Sequence, residues 1–170
     1  MDLATIIRDI PDFPQPGILF RDITPIFEDP DAFRAALDQL RALLEDVEFD
    51  TFAAVESRGF LFAAPLAAEM RKRVVLVRKA GKLPGATHAA TYQLEYGQAT
   101  VELHRESCTG RRVVLLDDLL ATGGTAAAAA DLVRRDEGTI AAYLFLVELD
   151  FLRGREQLGD APVLTVLRYP

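Results

Sequence analysis

The stretch Val113-Val114-Leu115-Leu116-Asp117-Asp118-Leu119-Leu120-Ala121-Thr122-Gly123-Gly124-Thr125 constrains this chain more than any other. Four apolar residues predict a buried strand, and the two carboxylates predict its end. The Thr-Gly-Gly-Thr turn then leads into an alanine run at 126–130, a strong helix former. A strand that ends in acids and turns through glycines into a helix is suited to a phosphorylated sugar. Glycines let the backbone approach an anion, and a helix start offers unpaired N–H groups and the positive end of a dipole. Thr122 and Thr125 add hydroxyl donors. Asp117 and Asp118 repel a phosphate but suit hydroxyls, and a ribose carries its 2′- and 3′-OH just beyond its 5′-phosphate. Two other phosphate motifs are excluded: Gly124 is followed by Thr125 where a Walker loop needs Lys, and no G-x-G-x-x-G occurs. The plainer alternative is an ordinary strand–turn–helix with a solvated acidic turn.

Composition narrows the surroundings. The 170 residues fit one domain with a sizeable core, and no stretch has the length of a membrane span. Residues Asp2, Arg8 and Asp9 around the first apolar patch do not read as a secretory signal. A formal charge of −7 argues against a nucleic-acid or anionic-membrane partner. The single cysteine, Cys108, precludes an internal disulfide and fits a reducing cytoplasm as a bystander thiol. His88 and His104 stand apart, with no metal-ligand spacing. The chain otherwise prefers Arg, yet Lys79 and Lys82 fall together in Arg78-Lys79-Ala80-Gly81-Lys82. Compact point charges there suit a pyrophosphate; a solvated basic turn is the alternative.

The order of elements predicts an α/β fold. Asp29-Pro30 reads as an N-cap and first helical residue, followed by Phe33, Leu37, Leu40 and Leu44 at helical spacing, so a helix is expected over about 30–46. A strand at 51–55 leads through Glu56-Ser57-Arg58-Gly59 to a helix ending near Met70. A strand at 74–77 ends at the basic stretch. Segments 92–94 and 100–103 suggest a hairpin or flap, and further strands are expected at 113–116, 141–147 and 163–167. Such alternation implies a mostly parallel sheet covered by helices, with ligands beyond the carboxyl ends of its strands. Three polar loops, 56–59, 78–82 and 117–125, would then converge on one cleft.

The acid pair followed by T-G-G-T resembles the 5-phosphoribosyl-1-pyrophosphate (PRPP) motif of the type I phosphoribosyltransferases. From about residue 10 onward the chain is similar to the adenine-specific branch of that family. The resemblance rests on Phe13-Pro14-Gln15-Pro16-Gly17-Ile18-Leu19-Phe20-Arg21-Asp22-Ile23-Thr24-Pro25, Glu56-Ser57-Arg58-Gly59-Phe60 and Arg78-Lys79-x-Gly81-Lys82-Leu83-Pro84-Gly85. It also rests on Tyr92-x-Leu94-Glu95-Tyr96-Gly97, and on Leu146-Val147-Glu148-Leu149 with Gly154-Arg155-Glu156. Glu56 departs from the many relatives with Asp there and keeps the charge. The implied fold is a single domain over 1–170, with an N-terminal base-binding segment at about 1–28 and a flap at about 84–101.

The residues speak to the base as well. Relatives acting on 6-oxopurines resemble E-D-x-x-D-T at the signature, their third acid lying by the purine N7; here that place is Ala121. Their lysine for the 6-oxo group is missing too, since 141–150 hold no Lys or Arg. Glu95, between two tyrosines, is then the candidate for the N7 proton. The family implies conversion of adenine and PRPP to AMP and pyrophosphate, with Mg²⁺ carried by the pyrophosphate, in a homodimer. It implies that Arg58, Lys79 and Lys82 face the pyrophosphate, and that Asp117 and Asp118 hold the ribose hydroxyls. Residues 121–125, Ala121, Thr122, Gly123, Gly124 and Thr125, bind the phosphoribosyl group. Backbone groups of Leu19 and Arg21 bind adenine with Phe20 stacking, and Tyr96 orients Glu95 or touches the ribose. Arg78 is left open between a pyrophosphate ligand and an ion-pair partner. A regulator that kept the pocket without the chemistry usually gains a basic or nucleic-acid-binding segment, and none is present in this sequence. A xanthine or orotate enzyme is disfavoured by Ala121 and the N-terminal segment.

Overall fold

Successive side chains of the parallel strands point into two different cores, and this alternation sets the architecture. The computed structural model describes residues 1–94 and 97–170. Strands β1 (Arg8–Pro11) and β2 (Leu19–Asp22) form an antiparallel ribbon, followed by α1 (Thr24–Glu28) and α2 (Pro30–Ala42). Then come β3 (Thr51–Val55), α3 (Arg58–Met70), β4 (Arg73–Lys79), β5 (Thr87–Leu94) and β6 (Gly97–His104). The chain continues through β7 (Arg112–Leu120), α4 (Gly124–Arg135), β8 (Thr139–Leu149) and β9 (Val163–Tyr169). The main sheet has the order β5-β6-β4-β3-β7-β8-β9. Its five strands from β4 to β9 are parallel, and the β5–β6 hairpin joins antiparallel at the β4 edge.

Phe52, Ala54, Val114, Leu116 and Leu144 meet Leu37, Leu40, Phe62 and Leu66 of α2 and α3 in the first core. Their neighbours Ala53, Val55, Val113, Leu115 and Tyr143 meet Ala129, Leu132 and Val133 of α4 in the second. The two-residue strand period feeds both faces, and helices cover each, as parallel strands require.

Three expectations need correction. Helix α2 is capped as expected, the Asp29 carboxylate accepting from the N–H groups of Asp31 (2.8 Å) and Ala32 (3.2 Å). It ends at Ala42 rather than near 46, because Leu44 donates to the Arg41 carbonyl at 2.9 Å and tightens the exit. Leu44 still reaches the core, which is why its spacing looked helical. The hairpin strands are longer than 92–94 and 100–103, paired from Thr87↔His104 to Leu94↔Gly97, with Ala90, Val101 and Leu103 seated on the second core.

The carboxylates do not stop the signature strand. Strand β7 runs on to Leu120, since its ladder with β8 continues through Asp117↔Phe145, Leu119↔Val147 and Leu120↔Glu148. Its pairing with β3 stops at Ala54↔Leu116. The acids therefore lie on a stretch paired on one side only, at the point where the chain leaves β3 and the sheet opens.

Candidate active site

Adjacent strands β4, β3 and β7 place loops 78–82, 56–59 and 117–125 at the same sheet edge. The 56–59 loop is tied to both neighbours. Glu56 accepts from the Lys79 backbone N–H at 2.9 Å and from the Arg78 guanidinium, Nε and Nη2 each at 3.3 Å. Arg78 Nη1 also donates to the Lys82 carbonyl at 3.1 Å. Arg78 thus pairs with Glu56 and braces its own loop. The Lys79 N–H lowers the Glu56 carboxyl from its ordinary value against the effect of burial, and Arg78 adds to this. Lys79 and Lys82 are exposed, and no described residue makes a hydrogen bond or ion pair with either ammonium.

On the other side, Arg58 opens α3 and its Nε lies 2.5 Å from Asp118 Oδ2. This contact needs α3 to start hard against β7. Gly59 allows it: a Cβ there would stand 2.8 Å from the Leu116 carbonyl and 3.2 Å from Asp117 Cα. Asp118 is buried, and its N–H donates to Asp117 Oδ1 at 2.8 Å. Burial, then the neighbouring Asp118 charge and a hydrogen bond with it, push the Asp117 carboxyl well above the usual aspartate range, although Arg58 pulls the other way. Two adjacent carboxylates at a poorly solvated edge favour hydroxyl donors or a nearby cation as partners.

Beyond the acids, Gly123 is the N-cap of α4 with φ +86°. Among the described residues no side chain caps the helix, and its first turn contains no acid, so the leading N–H groups face a cavity of about 70 Å³. Asp117, Leu119 and the 120–126 turn line that cavity. The turn rests on residues 154–157: a Cβ at Gly123 would come 2.4 Å from the Gly154 carbonyl, and one at Gly154 would come 2.2 Å from the Ala121 carbonyl. Arg155, held by the buried Glu148 through bonds of 2.5 and 2.6 Å, anchors this support. Thr125 Oγ1 donates to the Tyr92 hydroxyl at 3.1 Å, so that hydroxyl is engaged with the hairpin.

The N-terminal ribbon supplies an apolar end. Residues 17–19 and Arg21 line a cavity of about 430 Å³ with Leu149, Phe151 and Leu152. Phe20 belongs to neither core; it is half-buried and meets Phe13 edge-on, ring centroids 5.1 Å apart. Phe62, by contrast, is fully buried core. The Arg21 guanidinium is paired with Asp9 and lies 4.0 Å from the Tyr169 ring centre, so that side chain is committed to structure. Glu95 and Tyr96 lie outside the described residues. Sequence reasoning missed the bridging part of Glu56, the Tyr92 contact and the apolar wall at 149–152. The first two sit inside motifs already singled out; Phe151, an isolated apolar residue after a strand, offered no signal.

With this geometry in place, similarity to known proteins is specific. Residues 26–156 match the family model described as a phosphoribosyl transferase domain. Adenine phosphoribosyltransferase from Synechococcus sp. is 47% identical over 170 residues, 99% of either chain, and that from Thermobifida fusca is 52% identical over 164 residues, 94% of this chain and 93% of its own. The crystal structure of the Thermoanaerobacter pseudethanolicus enzyme superposes with a TM-score of 0.95 at 46% identity, covering 99% of this chain and 98% of its own. A relation this close over nearly the whole length leaves one conclusion, that the chain belongs to the adenine phosphoribosyltransferases, within the phosphoribosyltransferase domain family.

Proposed function

We infer that this chain carries out its family's reaction, transferring a phosphoribosyl group from PRPP to adenine to give AMP and pyrophosphate, a purine-salvage step. The observation that carries the reading is the order of groups along the cleft edge. A helix start that no described side chain caps comes first, the Asp117–Asp118 pair follows, and across from it lie Arg58 and the exposed Lys79 and Lys82. That order matches phosphate, ribose diol and pyrophosphate along a single substrate.

The bond from the anomeric carbon to the pyrophosphate oxygen breaks as the bond to adenine N9 forms, and positive charge grows on the ribose ring. Asp117 and Asp118 hold the 2′- and 3′-hydroxyls and favour that charge. Arg58, Lys79 and Lys82 take up the charge of the leaving group; removing a single preorganised donor to a developing negative charge costs about 3–4 kcal/mol in a known case. Among the described residues no three His, Cys, Asp or Glu side chains could hold a metal ion together. Asp118 and Glu56 already face arginines. This donor set fits a Mg²⁺ that arrives on the substrate's pyrophosphate, where it supplies charge neutralisation. Adenine takes the apolar end, against backbone groups of Leu19 and Arg21 and the Phe20 ring. Glu95 is assigned the proton at N7, because Ala121 can neither give nor accept one.

A homodimer is supported by a bare apolar face. Val74 and Leu76 lie in register with the core residues Phe52 and Ala54 yet are 37% and 39% exposed, as is Leu61 of α3 at 49%. A cytoplasmic location agrees with a single reduced, buried Cys108. Assaying PRPP-dependent nucleotide formation with adenine, hypoxanthine, guanine, xanthine and orotate tests the assignment. Turnover of adenine alone is expected, and a faster reaction with any other base overturns it. Sedimentation at micromolar concentration should give twice the 18.7 kDa chain mass; a pure monomer removes the dimer.

A further inference from the structure

We propose that Tyr92, on the hairpin, is a further ligand of the substrate's 5′-phosphate; this rests on reading 121–125 as the phosphate loop. Tyr92 lies on the first strand of the hairpin, remote in sequence from that loop, yet its ring covers the helix start. A Cβ on Gly124 would stand 3.3 Å from Tyr92 Cδ2, and Tyr92 lines a cleft with Thr122, Gly124 and Gln157. The ring packs on the second core, so its position is set by hydrophobic burial rather than by the hydroxyl.

The hydroxyl lies within hydrogen-bond reach of Thr125 in the first turn of α4. It accepts the Thr125 proton at 3.1 Å, and its own O–H finds no acceptor among the described residues. A tyrosine hydroxyl carries one proton as well as acceptor lone pairs. Accepting from Thr125 polarises the Tyr92 O–H and makes it a better donor, as hydrogen bonds in series do. An anion seated on the first N–H groups of α4 is a partner of the right charge for that donor. Thr125 thereby acts on the phosphate through Tyr92, and one strand of the hairpin becomes part of the phosphate site.

Tyr92→Phe removes the hydroxyl and keeps the ring. Binding of AMP and of adenosine, which lacks the phosphate, is measured by calorimetry or competition for the parent, Tyr92→Phe and Thr125→Val. The expected result is a loss of AMP affinity in Tyr92→Phe of about 3- to 10-fold, the range for one hydrogen bond, with adenosine unchanged. Thr125→Val should weaken AMP as well. If Thr125→Val weakens AMP while Tyr92→Phe leaves it unchanged or tighter, the phosphate loop stands and the role of Tyr92 is refuted. If neither variant changes AMP affinity, the phosphate-loop reading falls and takes this proposal with it. If Tyr92→Phe weakens AMP and adenosine equally, the hydroxyl serves hairpin packing and the proposal is also overturned.

Discussion

Gly123→Ala tests whether the 121–125 turn, the proposed phosphate loop, depends on its contact with the 154–157 turn. Two penalties can be worked out from the structure. Gly123 has φ +86°, a conformation costing a residue with a Cβ about 1–3 kcal/mol. The new methyl would also lie 2.4 Å from the Gly154 carbonyl and 3.0 Å from Gln157 Cβ, and neither the backbone oxygen nor its turn can swing away as a long side chain would. Overpacking of this kind costs about 1–3 kcal/mol. Together the expected loss is about 2–6 kcal/mol, a large part of the roughly 5–15 kcal/mol that stabilises a typical domain. The loss can appear as reduced folding stability or, if the loop shifts to relieve the clash, as weaker AMP binding. Because the chain has no tryptophan, urea unfolding is best followed by far-ultraviolet circular dichroism, with calorimetry for AMP. Gly124→Ala is the control: it has no positive φ, and its methyl meets only the edge of Tyr92 at 3.3 Å and the Gln93 carbonyl at 3.7 Å. Its folding stability should stay within about 1 kcal/mol of the parent, as mild crowding allows. If Gly123→Ala matches the parent in both stability and AMP affinity, the loop does not need the glycine and the reasoning fails.

Asp117→Asn separates stability from function. The Asp117 carboxyl is raised by burial and by Asp118, so the folded protein holds that proton more tightly than the unfolded chain does. Parent stability should therefore fall as pH climbs from the ordinary aspartate value of 3.8 through the raised one, a slope that the variant lacks. Urea midpoints of the two proteins should diverge with rising pH, the variant above, while AMP formation collapses; parallel curves would refute the burial argument. Burial pushes the Cys108 thiol up to about 11, so a disulfide reagent at pH 8 should label it only once the protein unfolds. Fast labelling of the folded protein would contradict its position. Glu95→Leu should lower kcat by about 10²–10⁴-fold with PRPP affinity little changed, the span for general acid–base catalysis. Turnover within a few-fold of the parent would mean that the proton passes elsewhere.

Much of this architecture was readable because the parallel strands are apolar on both faces and bounded by glycine, proline and charge. Pro30 after Asp29 marks one helix start, and Gly59 and Gly123 mark two others. What the sequence hid were continuations that depend on a partner strand. Asp117 and Asp118 look like a strand end, yet the ladder with β8 carries β7 three residues beyond Asp117, to Leu120. The β1–β2 ribbon gave no alternation to read, because none of its residues is buried and the two strands are paired with each other alone. The Arg78–Glu56 pair could be seen only in the side-chain geometry, since a basic residue near a cleft has the same composition whichever way it points.

The sheet between the two cores also has an evolutionary consequence. Helix α4, Tyr92 and the hairpin draw their packing from one core, whereas Ile7, Ile23 and Ile26, around the N-terminal ribbon, draw theirs from the other. Substitutions far apart and without shared partners combine nearly additively. The base-facing end can therefore be rebuilt, lengthened or exchanged with little energetic cross-talk to the phosphate end. Recruitment of a different nitrogenous base by this scaffold would thus fall mainly on the ribbon side of the sheet, with Ala121 as the one position where the sugar-phosphate turn itself would have to change.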